Sequence, residues 1–211
     1  MRLAIVTLLL IGTAYGADVP LSNLSFTNVN VQMTTYHGGR ALKMTTKDSA
    51  HEGIAAVPGV RFLAGTIDVD VSGAPAKGAA ADARGFIGVI FRQQNNSKPF
   101  EIIYLRPTNG RADDQLRRNH SVQYASDPDW PWERLRKESP GMYESYADMQ
   151  AGEWTHMRIV VKGRDASLYV NHAEQPCLIV HDLKLEPAEG GVALWIGADT
   201  EGYFRNLRIT K

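Results

Sequence analysis

Thr66-Ile67-Asp68-Val69-Asp70-Val71 decides the fold class. Ile67, Val69 and Val71 fall on one side of an extended chain, and Asp68 and Asp70 on the other. That is the period of a strand with one face in a core and one in water. Outward from this stretch the same rhythm recurs in short runs. It predicts strands over residues 24–33, 40–46 and 65–71, then 85–92, 100–106 and 121–125. Further strands are predicted over 154–162, 166–171, 177–180, 191–196 and 203–210. Gly163-Arg164-Asp165 separates two of these runs by a short glycine-containing turn, the strongest hairpin signal in the chain. No long segment keeps a 3.6-residue apolar period. The expectation is an all-β chain, an antiparallel β-sandwich of the jelly-roll kind. Residues 72–83, rich in Ala, Gly and Pro, are expected to form a surface excursion.

The 211 residues carry 23 Lys plus Arg against 23 Asp plus Glu, a formal net charge of zero. Such a balance offers phosphate backbones and anionic lipid no long-range attraction, so nucleic acid is not an expected partner. At 44% hydrophobic and 22% charged, the composition is that of a globular chain. Its length suits a single domain over 17–211. The lone Cys177 excludes an intramolecular disulfide and is expected to be buried and inert.

The first sixteen residues read as an address. Arg2 supplies a positive charge, residues 3–11 are apolar except for Thr7, and Gly12-Thr13-Ala14-Tyr15-Gly16 offers a small-residue exit. A secretory signal peptide cut near Gly16/Ala17 has that order, which predicts a secreted or periplasmic protein. The run is too short to span a bilayer, so no membrane insertion is expected.

Residues 106–149 break the strand rhythm, with one short strand expected in some forty residues. Connections of that length are uncommon unless functional or separately structured. Two of the four tryptophans and many arginines fall here, which predicts an ordered insertion folded over one face of the sandwich.

Several pieces, in order from about Arg40 onward, resemble the concanavalin A-like lectin/glucanase superfamily, which includes laminin-G-like jelly rolls. They are Phe62-Leu63-Ala64-Gly65 running into the stretch above, Gly85-Phe86-Ile87-Gly88-Val89-Ile90-Phe91-Arg92, and Phe100-Glu101-Ile102-Ile103-Tyr104-Leu105-Arg106-Pro107. Glu153-Trp154-Thr155-His156-Met157-Arg158 and the closing Tyr203-Phe204-Arg205-Asn206-Leu207-Arg208-Ile209 complete the likeness. Within the superfamily they resemble the 3-keto-disaccharide hydrolase-like and family 16 glycoside hydrolase-like branch. The insertion is similar to a block in bacterial secreted proteins of this superfamily, which implies a bacterial setting. The carboxylate motif of family 16 glycanases is absent, so its nucleophile and acid do not carry over. The fold hosts lectins, hydrolases and adhesion modules alike.

Three functions follow as expectations. The first is a secreted carbohydrate-binding module. Sugar rings stack their C–H faces on aromatic rings and offer hydroxyls to planar donors and acceptors. Candidate binding residues are Arg92, Tyr104, Arg106, Asn109, Arg111, Arg117, Arg118, Asn119, Tyr124, Trp130 and Trp132. Adjacent Arg117 and Arg118 would also suit an acidic sugar. The alternative for Trp130 and Trp132 is a miniature core of the insertion, with the arginines as ionic fasteners. The second function is a glycoside hydrolase, or a keto-sugar hydrolase or lyase, using His120 with Asp113 or Asp114. The third is a structural or protein-interaction domain. Asp68 and Asp70 read as a solvated sheet face, and Trp154 and Trp195 as core. The histidine spacing indicates no transition-metal site and no cofactor is expected, although fold analogy allows calcium with Asp199 and Glu201.

Overall fold

The computed structural model describes residues 17–48, 50–95 and 97–211, so the expected signal peptide lies outside the described residues. In chain order the strands are β1 (Ala17–Asp18), β2 (Ser25–Thr27), β3 (Val29–Tyr36), β4 (Gly39–Thr46), β5 (Gly53–Ala56) and β6 (Gly65–Pro75). They continue as β7 (Ile87–Gln93), β8 (Phe100–Leu105), β9 (Val122–Asp127), β10 (Glu144–Ser145) and β11 (Thr155–Lys162). The last four are β12 (Asp165–Val170), β13 (Leu178–Val180), β14 (Gly191–Ile196) and β15 (Thr200–Thr210). Two short helices, α1 (Gln115–Asn119) and α2 (Trp132–Glu138), lie within the long excursion.

The first sheet runs β13-β12-β11-β6-β15-β4-β3, with β1 added to β15, and the second runs β10-β9-β8-β7-β14-β5-β2. Every pairing is antiparallel, and the two sheets make the expected sandwich. Ile67, Val69 and Val71 of β6 are buried with Met157 and Ile159 of β11, as the deciding stretch predicts. From the other sheet the inward set includes Val89 and Phe91 of β7, Ile103 of β8 and Leu194 of β14. Each such side chain contributes roughly 1.5–3 kcal/mol on burial. The hairpin between β11 and β12 turns on Gly163 at φ +59°, a left-handed conformation that suits glycine at the first position of a two-residue turn.

Two sequence expectations need correction. Residues 72–75 continue β6 instead of leaving the sheet. A Cβ on Gly73 would lie 2.5 Å from the Gly85 carbonyl oxygen, so glycine there admits a neighbouring backbone. The expected excursion 106–149 is also less separate than its composition suggests. It supplies β9, which pairs along β8 from Leu105↔Val122 to Phe100↔Asp127, and β10, which closes that edge of the sheet. Between these strands α2 starts behind Pro131 and packs inward through buried Leu135. Its acidic first turn (Glu133) and basic last turn (Arg136, Lys137) both complement the helix dipole.

Candidate functional site

Alternation along β8 sends Glu101, Ile103 and Leu105 between the sheets and turns Phe100, Ile102 and Tyr104 to the outer face. Register carries that outer face across the sheet: Tyr104 lies opposite Gly88, Gly88 opposite Trp195, and Trp195 opposite Ile54. The next row passes through Ala125, Ile102, Ile90, Ala193 and Ala56. Small residues at Gly88, Ala193 and Ala56 keep this face low, and of the row just described Ile102 and Ala125 line the cleft itself, together with Gly197 and Ala198. Gly88 allows no side chain, since a Cβ would lie 2.4 Å from the Ile103 carbonyl oxygen and 2.5 Å from Tyr104 Cβ.

The result is a cleft of 260 Å³ lined by Phe86, Phe100, Tyr104, Trp132 and Trp195, with Glu52 and Asp127 as its carboxylates. The Tyr104 ring stands 5.2 Å from Trp195 and 5.8 Å from Phe86, both tilted. Trp132, the first residue of α2, forms the wall contributed by the excursion. The Trp195 indole N–H donates to Glu52 Oε2 at 3.0 Å. Lys98 Nζ pairs with Asp127 Oδ2 at 2.7 Å, a contact that raises the lysine's pKa.

Beneath Trp132 lies a buried polar network. The Arg106 guanidinium is 4% exposed and stacks against Phe86, Tyr104 and Trp132 at 5.2–5.6 Å. It donates to Tyr104 Oη and Gln123 Oε1, both at 3.1 Å, and to the His120 carbonyl at 3.1 Å. Burial drives the Tyr104 phenol up to about 12, so it stays protonated. Glu144, at the edge on β10, receives Arg136 Nη2 at 2.6 Å and lies 3.9 Å from Arg106 Nη1. His120 Nδ1 comes within 2.8 Å of Glu144 Oε2, but the oxygen lies off the ring N–H direction, leaving a charge contact without an aligned hydrogen bond. Desolvation pulls the His120 pKa down, aided by Arg136 and Arg106 and opposed by Glu144.

The other residues named from sequence are placed as follows. Asp114 is exposed and caps α1, accepting from Arg117 N at 2.9 Å; Asp113 is exposed beside it. The carboxylate against His120 is therefore Glu144, which sequence reasoning missed. Arg92 is a correction to the binding set. At φ +53° on a β-bulge it turns its guanidinium inward, is 1% exposed, and donates to the Leu63 and Gly163 carbonyls. Tyr124 is another, because its register opposite Ile103 points it between the sheets, where its hydroxyl donates to Glu101 Oε2 at 2.5 Å. Burial raises the pKa of both that tyrosine and Glu101.

Asn109 is buried and binds the His120 carbonyl at 3.2 Å, while Arg117 Nη2 reaches Asn109 Oδ1 at 3.4 Å. Arg111 forks onto Asp148, and Arg118 donates to Tyr146 Oη. Asn119 accepts from Gln115 at 2.7 Å. Trp130 stacks with Arg134 at 3.7 Å and faces Lys184 at 4.8 Å. Most arginines are thus fasteners, and of the candidate set only Tyr104 and Trp132 line the cleft, with Arg106 directly behind them. Trp195 is buried with the core as expected, at 7% exposure, and also lines the cleft on the outer face. Trp154 is half-buried under the Arg205 guanidinium at 4.2 Å.

Asp68 and Asp70 sit on the outer face of the first sheet, but half-buried in ion pairs instead of freely solvated. Asp68 takes Arg158 at 2.7 Å; Asp70 takes His156 at 2.8 Å, Arg205 at 3.0 Å and Asn206 at 2.8 Å. Among the described residues no group of three or more His, Cys, Asp or Glu is placed to hold a metal ion. Glu201, one nominal calcium ligand, is held by Lys43 at 2.7 Å and by Tyr203 at 2.8 Å. Among the described residues no helix is long and apolar enough to cross a membrane.

Comparison of the whole chain with solved structures places this architecture. The carbohydrate-binding module CBM66 from Bacillus subtilis superposes with a TM-score of 0.63 at 12% identity, covering 90% of this chain and 96% of that one. The fold is a concanavalin A-like jelly roll. Two further jelly rolls agree. The exoplasmic/lumenal domain of VIP36, in its Ca2+/Man3GlcNAc-bound form, gives a TM-score of 0.60 at 12% identity, over 92% of this chain and 87% of that one. A Bacillus subtilis protein with a galectin-like fold gives 0.55 at 10% identity, over 90% of each chain. Sequence comparison is silent by contrast: no protein-family model matches the chain and no curated protein matches it.

Proposed function

We propose that the chain from Ala17 onward is an exported carbohydrate-binding module and that its sugar sits in the cleft between Trp132, Tyr104 and Trp195. One observation carries this reading: five aromatic residues line one cleft together with Ile102, Ala125, Gly197 and Ala198, and the same lining holds two carboxylates. That is the inventory a pyranose needs, flat apolar surface for its C–H face and acceptors for its rim of hydroxyls. The jelly-roll neighbours support it, since one is named as a carbohydrate-binding module and another was obtained with Man3GlcNAc bound. The short apolar leader at residues 3–11 fits delivery to a compartment outside the cytoplasm, where polysaccharides are met.

The cleft is suited to holding more than to cutting. Asp127 is engaged by Lys98 and Glu52 by the Trp195 indole. His120 lies behind the wall beside Glu144 and is not among the cleft's lining residues. The test is a glycan array on the mature protein, followed by titration calorimetry of the Trp132→Ala variant. Binding to at least one glycan and a tenfold or greater loss in the variant is expected. A blank array from folded protein overturns the reading.

A further inference from the structure

The aromatic cleft is not closed at its Glu52 end. A second hollow of 580 Å³ continues from it across the outer edge of the same sheet, lined by Ser25, Thr27, Gln93, Lys98 and Arg61 among others. Glu52 and Phe100 line both hollows. The Lys98–Asp127 ion pair spans the same boundary, its lysine in the larger hollow and its aspartate in the smaller. One compartment is therefore ring-lined, the other mixes hydroxyl, amide and charged groups with aliphatic ones such as Ile54, Val57 and Val192, and they meet at Glu52 and Phe100.

The charges lining the combined groove are Glu52, Arg61, Lys98 and Asp127. Lys98 is paired with Asp127 at 2.7 Å, and the Glu52 charge acts on the same lysine more weakly and from beyond ion-pair distance. Arg61 Nε lies 3.8 Å from Glu189 Oε2, and its Nη2 donates to the Glu189 carbonyl at 3.0 Å. Glu52 alone of the four has no cationic partner within 4 Å among the described residues. Its Oε2 is aimed by the Trp195 indole N–H, and its backbone carbonyl is clasped by Asn28 Nδ2 at 2.9 Å. The side chain thus stands in a defined orientation beside the cleft. A carboxylate fixed in that way accepts hydroxyl donors and repels any second carboxylate brought against it.

We infer that Glu52 is the specificity-determining residue of a two-compartment groove that takes neutral oligosaccharides longer than one ring and rejects uronic acids. This rests on the proposed carbohydrate-binding function and narrows its ligand class. The aromatic compartment lies just below the usual 300–1,000 Å³ of a ligand site and is suited to one ring, so the larger compartment receives the units that follow.

The experiment uses the mature protein on an array of neutral hexose oligosaccharides one to six units long and uronate oligosaccharides of the same lengths. Hits are then titrated against wild type, Glu52→Gln and Trp132→Ala. Glutamine keeps an acceptor for the indole N–H, and circular dichroism checks that each variant is folded. For wild type, affinity for neutral sugars should rise at least tenfold between one and three units, with uronates at least tenfold weaker than their neutral counterparts. Glu52→Gln should narrow the neutral-to-uronate ratio several-fold. Uronates bound as well as neutral sugars, affinity flat with length, or an unchanged ratio in Glu52→Gln overturns this inference while Trp132-dependent binding keeps the parent function standing. A blank array overturns both.

Discussion

The Arg106 guanidinium lies under the Trp132 indole, 5.4 Å from carbon to ring centroid, and its opposite edge is tied to Tyr104 and Gln123. Arg106, just past the end of β8, and a helix residue 26 positions on thereby share one rigid contact. Arg106 holds the cleft wall without standing in the cleft itself. Arg106→Lys removes the planar stacking surface and the forked donor set while keeping the charge. It should weaken glycan binding several-fold and shift the tryptophan emission of the free protein. Unchanged emission together with unchanged affinity would remove Arg106 from the positioning role.

Glu144 is the counter-charge for this region, 6% exposed and in contact with Arg136, Arg106 and His120. Breaking a buried pair from one side leaves uncompensated charge, at a cost of about 3–5 kcal/mol. Glu144→Gln should therefore lower the urea midpoint strongly. A loss under about 1 kcal/mol would mean that these cations are solvated in solution.

His120 gives a pH signature. Its pKa is depressed below the ordinary 6.5 in the folded protein, first by desolvation and then by Arg136 and Arg106. As pH falls below about 6.5 the unfolded chain takes up this proton before the folded one does, so unfolding becomes easier. The contribution is fully present above pH 6.5 and declines on acidification, at no more than about 1.4 kcal/mol per pH unit. Subtracting the pH–stability profile of His120→Gln from that of wild type should isolate a falling limb below pH 6.5. A flat difference curve rejects the assignment.

Asp114 tests the difference between a cap and a catalyst. Its side chain holds the first turn of α1, and Asp114→Ala should cost about 0.5–2 kcal/mol of stability. Glycan affinity should not change. A loss of binding without a loss of stability would return Asp114 to the functional set.

Cys177 is expected to be silent. Burial pushes its thiol up to about 11, and its Sγ lies 3.5 Å from the Leu168 carbonyl. Cys177 is half-buried where full burial was expected, and its thiol stays protonated at pH 7. Ellman's reagent should react slowly with the native protein and rapidly in denaturant; equal rates would place Cys177 at the surface.

Much of the scaffold was legible because alternation is a local property. Thr66 to Val71 announces its two faces without help from any other strand. The cleft was legible only where a polar or aromatic residue has neighbours of contrasting character, as Tyr104 does above Arg106. Trp195 was not, because Leu194 and Ile196 beside it are also apolar. Which of the three faces inward depends on the pairing of β14 with β7, and a single strand carries no record of that. Arg92 escaped for a similar reason, since the bulge at its φ of +53° reverses the face expected from counting. Glu52 lies next to a short strand, Gly53–Ala56, too brief to show a period. Glu144 meets His120 because β10 pairs with β9, a long-range contact that spacing along the chain does not encode.

The segment between β9 and β10 is anchored at both ends by sheet hydrogen bonds, with Asp127 against Phe100 and Glu144 against Gln123. Residues 128–138, including the helix that presents Trp132, form a cassette clipped into fixed jaws. Exchanging that cassette would redraw one bank of the groove while every strand kept its neighbour. New ligand preferences are therefore reachable here through changes to about a dozen residues, provided that Leu135 keeps its place in the core and Arg136 its pairing with Glu144.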